Sequence, residues 1–424
     1  MGKKCVLTLL MSLSIVAVSA PPARADEGVK LSDLLPDLFS TVWSKNQGVF
    51  VDFFGVPADD PQFEAQFRSR TATVKTINEL MGLQLSTVPL GASGAGFSWV
   101  FHPESGTFER AANSFGPAFT ERALTIGKGR FGLGVNYQRS TFDKLEGQSL
   151  AGSQIRHYTG LPDAGVFFED SLDLKLTTDT VAVAANYGLT DRLDLGVMVP
   201  ISRVKLDATL NTRVGNVRTG VSPDAEVFSD RLSGTASGIG DIVARAKYNF
   251  LPRPGGGLAG GLDVRLPTGD ELNLLGIAGY QMKLYLAGSS TYGKVSPHFN
   301  AGFTASGETK SAFEITEFVL EPPDEMNYAG GVDVAVTPRL TAVGDVIGRR
   351  LRGVGSLRMA PSDFGTSFRE FMPVAGDLNQ LLGAAGVKFN PRSNALVSAN
   401  VLFPLRSRGL TDTLTLVLGV DYSF

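Results

Sequence analysis

Cysteine is almost absent from this chain: Cys5 stands alone among 424 residues, ahead of a short apolar run from Val6 to Ala20. That run follows Lys3 and Lys4 and precedes Ala23-Arg24-Ala25, an A-x-A cleavage pattern. Residues 1–25 therefore read as a secretory signal peptide, and Cys5 is expected to leave with it. A disulfide and thiolate chemistry are excluded from the mature chain, and a lipid anchor is not expected from a cysteine ahead of the apolar run. Beyond the leader no apolar stretch approaches 18 residues, which excludes membrane-spanning helices. A basic excess is missing too: 39 Lys and Arg against 42 Asp and Glu give a net charge of −3, no footprint for nucleic acid. Of the three histidines, His102 and His157 fall in segments with no second ligand at metal spacing, so neither a zinc site nor a cofactor is expected.

What is present is alternation. The chain ends TLTLVLGVDYSF, with Leu414, Leu416, Leu418, Val420, Tyr422 and Phe424 on one face and Thr, Gly, Asp and Ser residues with Val417 on the other. Side chains alternate along a strand, so one face is apolar and the other small or polar. This ending resembles the C-terminal signal that the assembly machinery of bacterial outer-membrane β-barrels reads. Val420, Tyr422 and Phe424 are its expected carriers. A mean hydropathy of +0.07 with 49 glycines agrees, since a barrel hides its hydrophobicity by alternation.

Twelve strands are expected, near 130–140, 172–187, 192–213, 239–250, 257–267, 279–290, 295–306, 327–336, 340–351, 381–389, 394–404 and 413–424. Fourteen is the alternative count. Short connections such as Gly188-Leu189-Thr190-Asp191, Thr337-Pro338-Arg339 and Asn390-Pro391-Arg392-Ser393 carry turn chemistry. They alternate with longer polar ones near 141–171, 214–238, 268–278, 307–326, 352–380 and 405–412. Outer-membrane barrels have short periplasmic turns and long external loops. An even count then puts both termini in the periplasm.

Faces follow from charge. Arg or Lys at the lipid midplane costs about 2–4 kcal/mol, so the charged face is the lumen. Asp241, Arg245, Lys247, Asp263, Arg265, Lys283, Asp333, Asp345 and Lys388 form the expected lumen set. It reads either as a constriction that selects solutes or as a ladder of paired charges filling a narrow barrel. Asp241 and Asp263 are the expected partners of the basic residues, Arg265 among them. In the second and third strands the apolar parity switches near Thr178 and Pro200, which predicts β-bulges. These two strands also look long enough to project beyond the membrane.

Residues 26–122 precede the barrel, which is assigned to 123–424. Asp33 is a candidate cap for a short helix with Leu35, Leu38, Phe39, Val42 and Trp43 on one side. Residues 62–81 lean helical, and Phe97–Phe101 with Phe108–Ala112 suggests a hairpin. The segment reads as lodged in or under the barrel; a loosely attached periplasmic extension is the alternative.

Three stretches then carry a family resemblance: Arg192-Leu193-Asp194-Leu195-Gly196-Val197, Gly238-Ile239-Gly240-Asp241 leading to Ala246-Lys247-Tyr248, and Arg265-Leu266-Pro267-Thr268-Gly269-Asp270. They resemble an outer-membrane family named for the meta-cleavage pathway of phenol degradation, related to long-chain fatty-acid transport barrels. The resemblance implies passive uptake of small, often hydrophobic or aromatic compounds. A structural or adhesive barrel without transport is the alternative. His298 projects inward between Ser296 and Asn300, but residues two apart on one strand stand in a row and form no hydrolase site, so no catalytic residue is assigned. Glu308, Glu314, Glu317, Glu321, Asp324 and Glu325 crowd one loop, either as a solvated surface or as a site for divalent cations shared with lipopolysaccharide. The expected partners are outer-membrane lipid and lipopolysaccharide, the barrel assembly machinery and small organic solutes.

Overall fold

The computed structural model describes residues 30–54, 57, 59–91, 96–102, 107–307 and 322–424. The leader and Glu308, Glu314, Glu317 and Glu321 lie outside them. Two helices come first, α1 (Leu31–Phe54) and α2 (Pro61–Ser86), and neither is long and apolar enough to cross a membrane. Asp60 caps α2 by accepting from the Gln62 amide at 2.8 Å, and Pro61 takes the first turn, where its missing N–H is no loss. Helix α1 starts at Leu31, so Asp33 lies within its first turn instead of capping it. Its inner side, Leu31, Leu34, Leu35, Leu38 and Val42, recurs at helical spacing and is buried.

Twelve antiparallel strands then close a barrel: β1 (Phe131–Phe142), β2 (Val166–Gly188), β3 (Leu193–Asn216), β4 (Ile242–Arg253), β5 (Gly256–Leu266), β6 (Gln281–Ser289), β7 (Val295–Ser306), β8 (Glu325–Thr337), β9 (Leu340–Leu351), β10 (Leu378–Arg392), β11 (Ala395–Pro404) and β12 (Thr415–Ser423). Sequential neighbours pair, and β12 closes on β1 with Leu416 opposite Arg139 and Tyr422 opposite Leu133. Full closure removes the sheet edges through the lipid. Large apolar side chains, among them Leu195, Met282, Leu284, Phe299, Val387 and Leu418, stand exposed on the outer wall. On a membrane barrel that is the lipid face.

Beyond the lipid belt the barrel continues on one side only. The upper halves of β2 and β3 extend with Gly220–Ile239, which continues β4 above a break at Gly240-Asp241, and with Ile155–Leu161. The stretch 214–238, expected as a polar loop, is thus largely strand. A second hairpin, Ser356–Ser362 with Gly365–Val374, stands in the expected 352–380 loop.

The parity switch has another cause than the bulges expected. Strands β2 and β3 pair without a register shift from Val166–Asn216 down to Gly188–Asp194. Even-numbered residues of β3 face inward throughout: Asp194 below, then Val204, Leu206, Ala208 and Leu210, all buried. At membrane level the outside is lipid and the inside polar. Above it, the inside is an apolar core in which Leu172, Leu174, Leu176, Val204 and Leu206 pack with α1 and α2, while the outside meets water. The environment inverts, and the strand does not.

The helices therefore sit at the long-loop end. Phe424 lies at the short-turn end, its amide donating to the Phe131 carbonyl at 2.8 Å. An even count does place the two ends of the barrel together. Residues 111–127 run through the lumen, and the two helices stand at the end opposite to Phe424.

Candidate functional site

Two short strands, Trp99–His102 and Thr107–Arg110, pair as a hairpin, but the threaded stretch after them, residues 111–127, has no ladder to satisfy its backbone, and buried N–H groups need acceptors. The wall supplies them. Asp345 on β9 accepts from the Ala118 and Phe119 amides, both at 3.1 Å, and Thr341 takes the Phe115 amide at 3.1 Å. Asn300 on β7 exchanges two hydrogen bonds with the Glu121 backbone, at 2.7 and 2.8 Å. Ser289 on β6 accepts from Ala123 at 3.1 Å, and Asp194 on β3 accepts from Ile126 at 3.0 Å. Lys388 on β10 donates to the Pro117 carbonyl at 2.6 Å.

Charges of the segment meet charges of the wall. Arg122 pairs with Asp333 on β8, and Asp333 also faces His298 Nδ1 at 3.2 Å. His298 Nε2 lies 2.6 Å from Asp345, so one imidazole bridges the two carboxylates. On the other side Glu121 pairs with Arg245, which also forks onto Asp263 at 2.6 and 2.7 Å. Lys247 lies 3.4 Å from Glu121 and 3.9 Å from Asp194. Lys283 stands opposite Asp263 in the β5–β6 register. Tyr285 lies over Gly261, where a Cβ would collide with its ring, so the wall there admits only glycine.

The structure thus brings together eight of the nine sequence-selected side chains around the segment or its helix, with two changes of partner. Asp241, at the break in β4, accepts from the Gly269 and Ile277 amides at 3.1 and 3.0 Å and holds the external loop. Arg265 donates to the Ser86 carbonyl at 2.7 Å instead of pairing with Asp241 or Asp263. Arg349, not anticipated, joins it by donating to the Thr87 carbonyl and hydroxyl at 2.9 and 2.7 Å. Both arginines stand at the C-terminus of α2, where cations complement the helix dipole. Also missed were Asp194, Asn300, Ser289 and Thr341 on the wall, together with Glu121 and Arg122 in the segment. Their inward parity was readable; what they hold was not. At the barrel's end, Phe424 is exposed on the outer face with its ring 4.7 Å from Tyr422, and Val420 pairs with Val135.

The mouth is different in character. A cleft of about 610 Å³ lies between α1 and α2, lined by Pro36, Phe39, Phe67, Val74 and Leu272 with Arg70 and Asn78. Arg70 is buried, 2.8 Å from Asp170, which also accepts from Thr212 at 2.5 Å and Asn46 at 3.3 Å. Burial pushes the Arg70 guanidinium down from its ordinary value, and Asp170 opposes that. Below, beside Gln84, Arg349 and Gln380, lies a smaller cavity of about 60 Å³. His157 is a partner of Glu370 at 2.8 Å.

Among solved structures the chain is similar to an outer membrane channel from Pseudomonas putida F1, at 16% identity over 72% of this chain and 97% of that one, with a TM-score of 0.47. A Pseudomonas aeruginosa FadL homologue matches at 13% identity over 78% and 96%, TM-score 0.34. The Ralstonia pickettii toluene transporter TbuX matches at 13% over 70% and 90%, TM-score 0.28. No curated protein matches the sequence. The family described as "Putative MetA-pathway of phenol degradation" matches residues 168–314, which include all three stretches singled out in the sequence. The family model thus matches the chain from β2 to beyond β7, about a third of its length, within a closed twelve-stranded β-barrel.

Proposed function

We propose that this barrel is a gated channel for passive uptake of small organic molecules, aromatic ones included, across the outer membrane. One observation carries the reading: the lumen is crossed by an irregular segment held to its wall through hydrogen bonds and ion pairs. Eight strands make a barrel that side chains fill, and sixteen or more leave an open pore. Twelve strands leave a space that here is taken by residues 111–127, held by contacts a local rearrangement can break. The lumen set then acts as both latch and wall, with Arg245, Lys247, Asp263 and Lys283 setting the field along the path once the segment shifts. The family match supports aromatic solutes. No covalent chemistry is assigned to the barrel.

In this reading residues 26–122 form a mouth domain and plug, the long loops face outward toward lipopolysaccharide, and Phe424 faces the periplasm. Val420, Tyr422 and Phe424 serve as the signal read by the assembly machinery. Single cysteines test the orientation, because the mature chain is expected to have no background thiol. Cysteine at exposed Asp363, in the long-loop hairpin, should label on intact cells with an impermeant maleimide, and cysteine at Arg392 should not. Labelling of Arg392→Cys from outside would invert the barrel. For transport, the purified barrel in planar bilayers should give discrete conductance steps. A barrel silent both as the wild type and with its latch removed would leave only the structural or adhesive reading.

A further inference from the structure

The mouth cleft carries groups that the latch does not use. On α2, Phe67, Arg70, Thr71, Val74, Lys75 and Asn78 recur at helical spacing and present one face to it; on α1, Ser32, Pro36, Phe39 and Ser40 do the same. Two aromatic rings, a proline, a valine and a leucine make the walls apolar. Arg70 is 2% exposed, and its partner Asp170 approaches Nη1. Its Nε and Nη2 have no hydrogen-bond acceptor among the described residues. These two donors lie on one edge of the guanidinium, the edge that takes a carboxylate in a two-point fork. The Asn78 Oδ1 acceptor is likewise buried without a donor. Buried polar groups normally find partners, so an open cleft lined by such groups is a site awaiting a ligand of matching polarity.

We propose that this cleft is a recognition site for compact aromatic carboxylic acids of one or two rings, bound through the free edge of Arg70. The ring lies among Phe39, Phe67, Pro36 and Val74, and the carboxylate takes Nε and Nη2 of Arg70. A ring hydroxyl, where present, donates to Asn78 Oδ1. The volume, about 610 Å³, is in the range of small-molecule sites. Lys75 and Asp33 line the same cleft with opposite charges, so the preference for an anion falls on Arg70. A neutral hydrocarbon would leave that edge unpaired, and an aliphatic acid would leave the aromatic walls empty.

The inference deepens the channel reading by naming the solute that the mouth collects, and it is tested by binding alone. Isothermal titration of the full barrel in detergent uses benzoate, its neutral isostere benzamide, and acetate. Benzoate should bind at least tenfold more tightly than either. Thr71 is exposed at the cleft and apart from the Arg70–Asp170 pair, so Thr71→Trp should fill the space, leave the barrel folded and abolish benzoate binding. Arg70→Lys, which keeps the charge and loses the fork, should reduce affinity for benzoate toward that for benzamide. Equal affinity for benzoate and benzamide, or benzoate binding retained in Thr71→Trp, overturns the proposal. Conductance without binding would overturn it while leaving the channel standing. Selective binding by a barrel that never conducts would uphold the site and remove the channel.

Discussion

Leu284→Arg should lose most of its folded, heat-modifiable form in outer-membrane fractions, whereas Lys283→Gln one residue away should assemble normally. Leu284 is 65% exposed on the outer face of β6, in line with Met282 and Leu286. A guanidinium there must leave water for hydrocarbon, at about 2–4 kcal/mol near the midplane. That corresponds to roughly thirtyfold or more in the ratio of folded to unfolded barrel. Lys283 faces the lumen opposite Asp263, where Gln still reaches polar neighbours. Arg245 remains forked on Asp263, so no carboxylate is stranded. Semi-native electrophoresis of membrane fractions reads both variants. The reverse result would mean that β6 is registered one residue off and that the whole lumen set is inverted.

Removing both latch carboxylates, Asp333→Ala with Asp345→Ala, should convert a mostly closed barrel into one with long-lived open states. The pair receives Arg122 and the Ala118 and Phe119 amides from the threaded segment. Hydrogen bonds to charged groups contribute about 1.5–3 kcal/mol each. Loss of three should shift release of the segment by roughly a thousandfold or more, since each 1.4 kcal/mol is tenfold. The apolar core holding α1 and α2 is untouched, with about 1.5–3 kcal/mol for each buried leucine. The mouth therefore stays assembled while the segment below it loosens. Single-channel recording should show higher open probability, and protease added from the short-turn side should cut between residues 112 and 127. Asp179→Ala, which removes a partly exposed carboxylate on the outer face of β2 beside Arg139, is the control. Unchanged conductance and unchanged protease resistance in the double variant would mean that these contacts are structural and that the latch lies elsewhere.

Much of this architecture is legible in residue order because its signals are local. Alternation in Gln281–Ser289 or Thr415–Ser423 needs only the two-residue period of a strand to separate lipid from lumen. The turns at Gly188–Asp191 and Asn390–Ser393 need only residues that tolerate tight geometry. From these came the strand count, the faces and the lumen position of Asp263, Asp333 and Lys388. Period-two reasoning also exposed the parity change near Thr178 and Pro200, but it could not say whether backbone or surroundings had changed.

The rest is decided by contacts between residues far apart in sequence. Arg122 meets Asp333 across 211 residues, and Arg265 meets the end of α2 across 179. No local pattern encodes which acid a lumen arginine will face, because every inward position on twelve strands is a candidate. The route of residues 111–127 is likewise silent in the sequence, since that irregular stretch has no period to read. Its path appears only when its amides are found bonded to side chains from four different strands. Residue order by itself determined that this is a twelve-stranded barrel with a charged interior and an apolar girdle, because lipid imposes that alternation on each strand separately. Tertiary structure alone decided that the interior is threaded, that the upper strands turn their leucines inward onto two helices, and that Arg70 is buried beside a cleft with donors left unpaired among the described residues, because burial and pairing belong to the assembled neighbourhood and to no single segment.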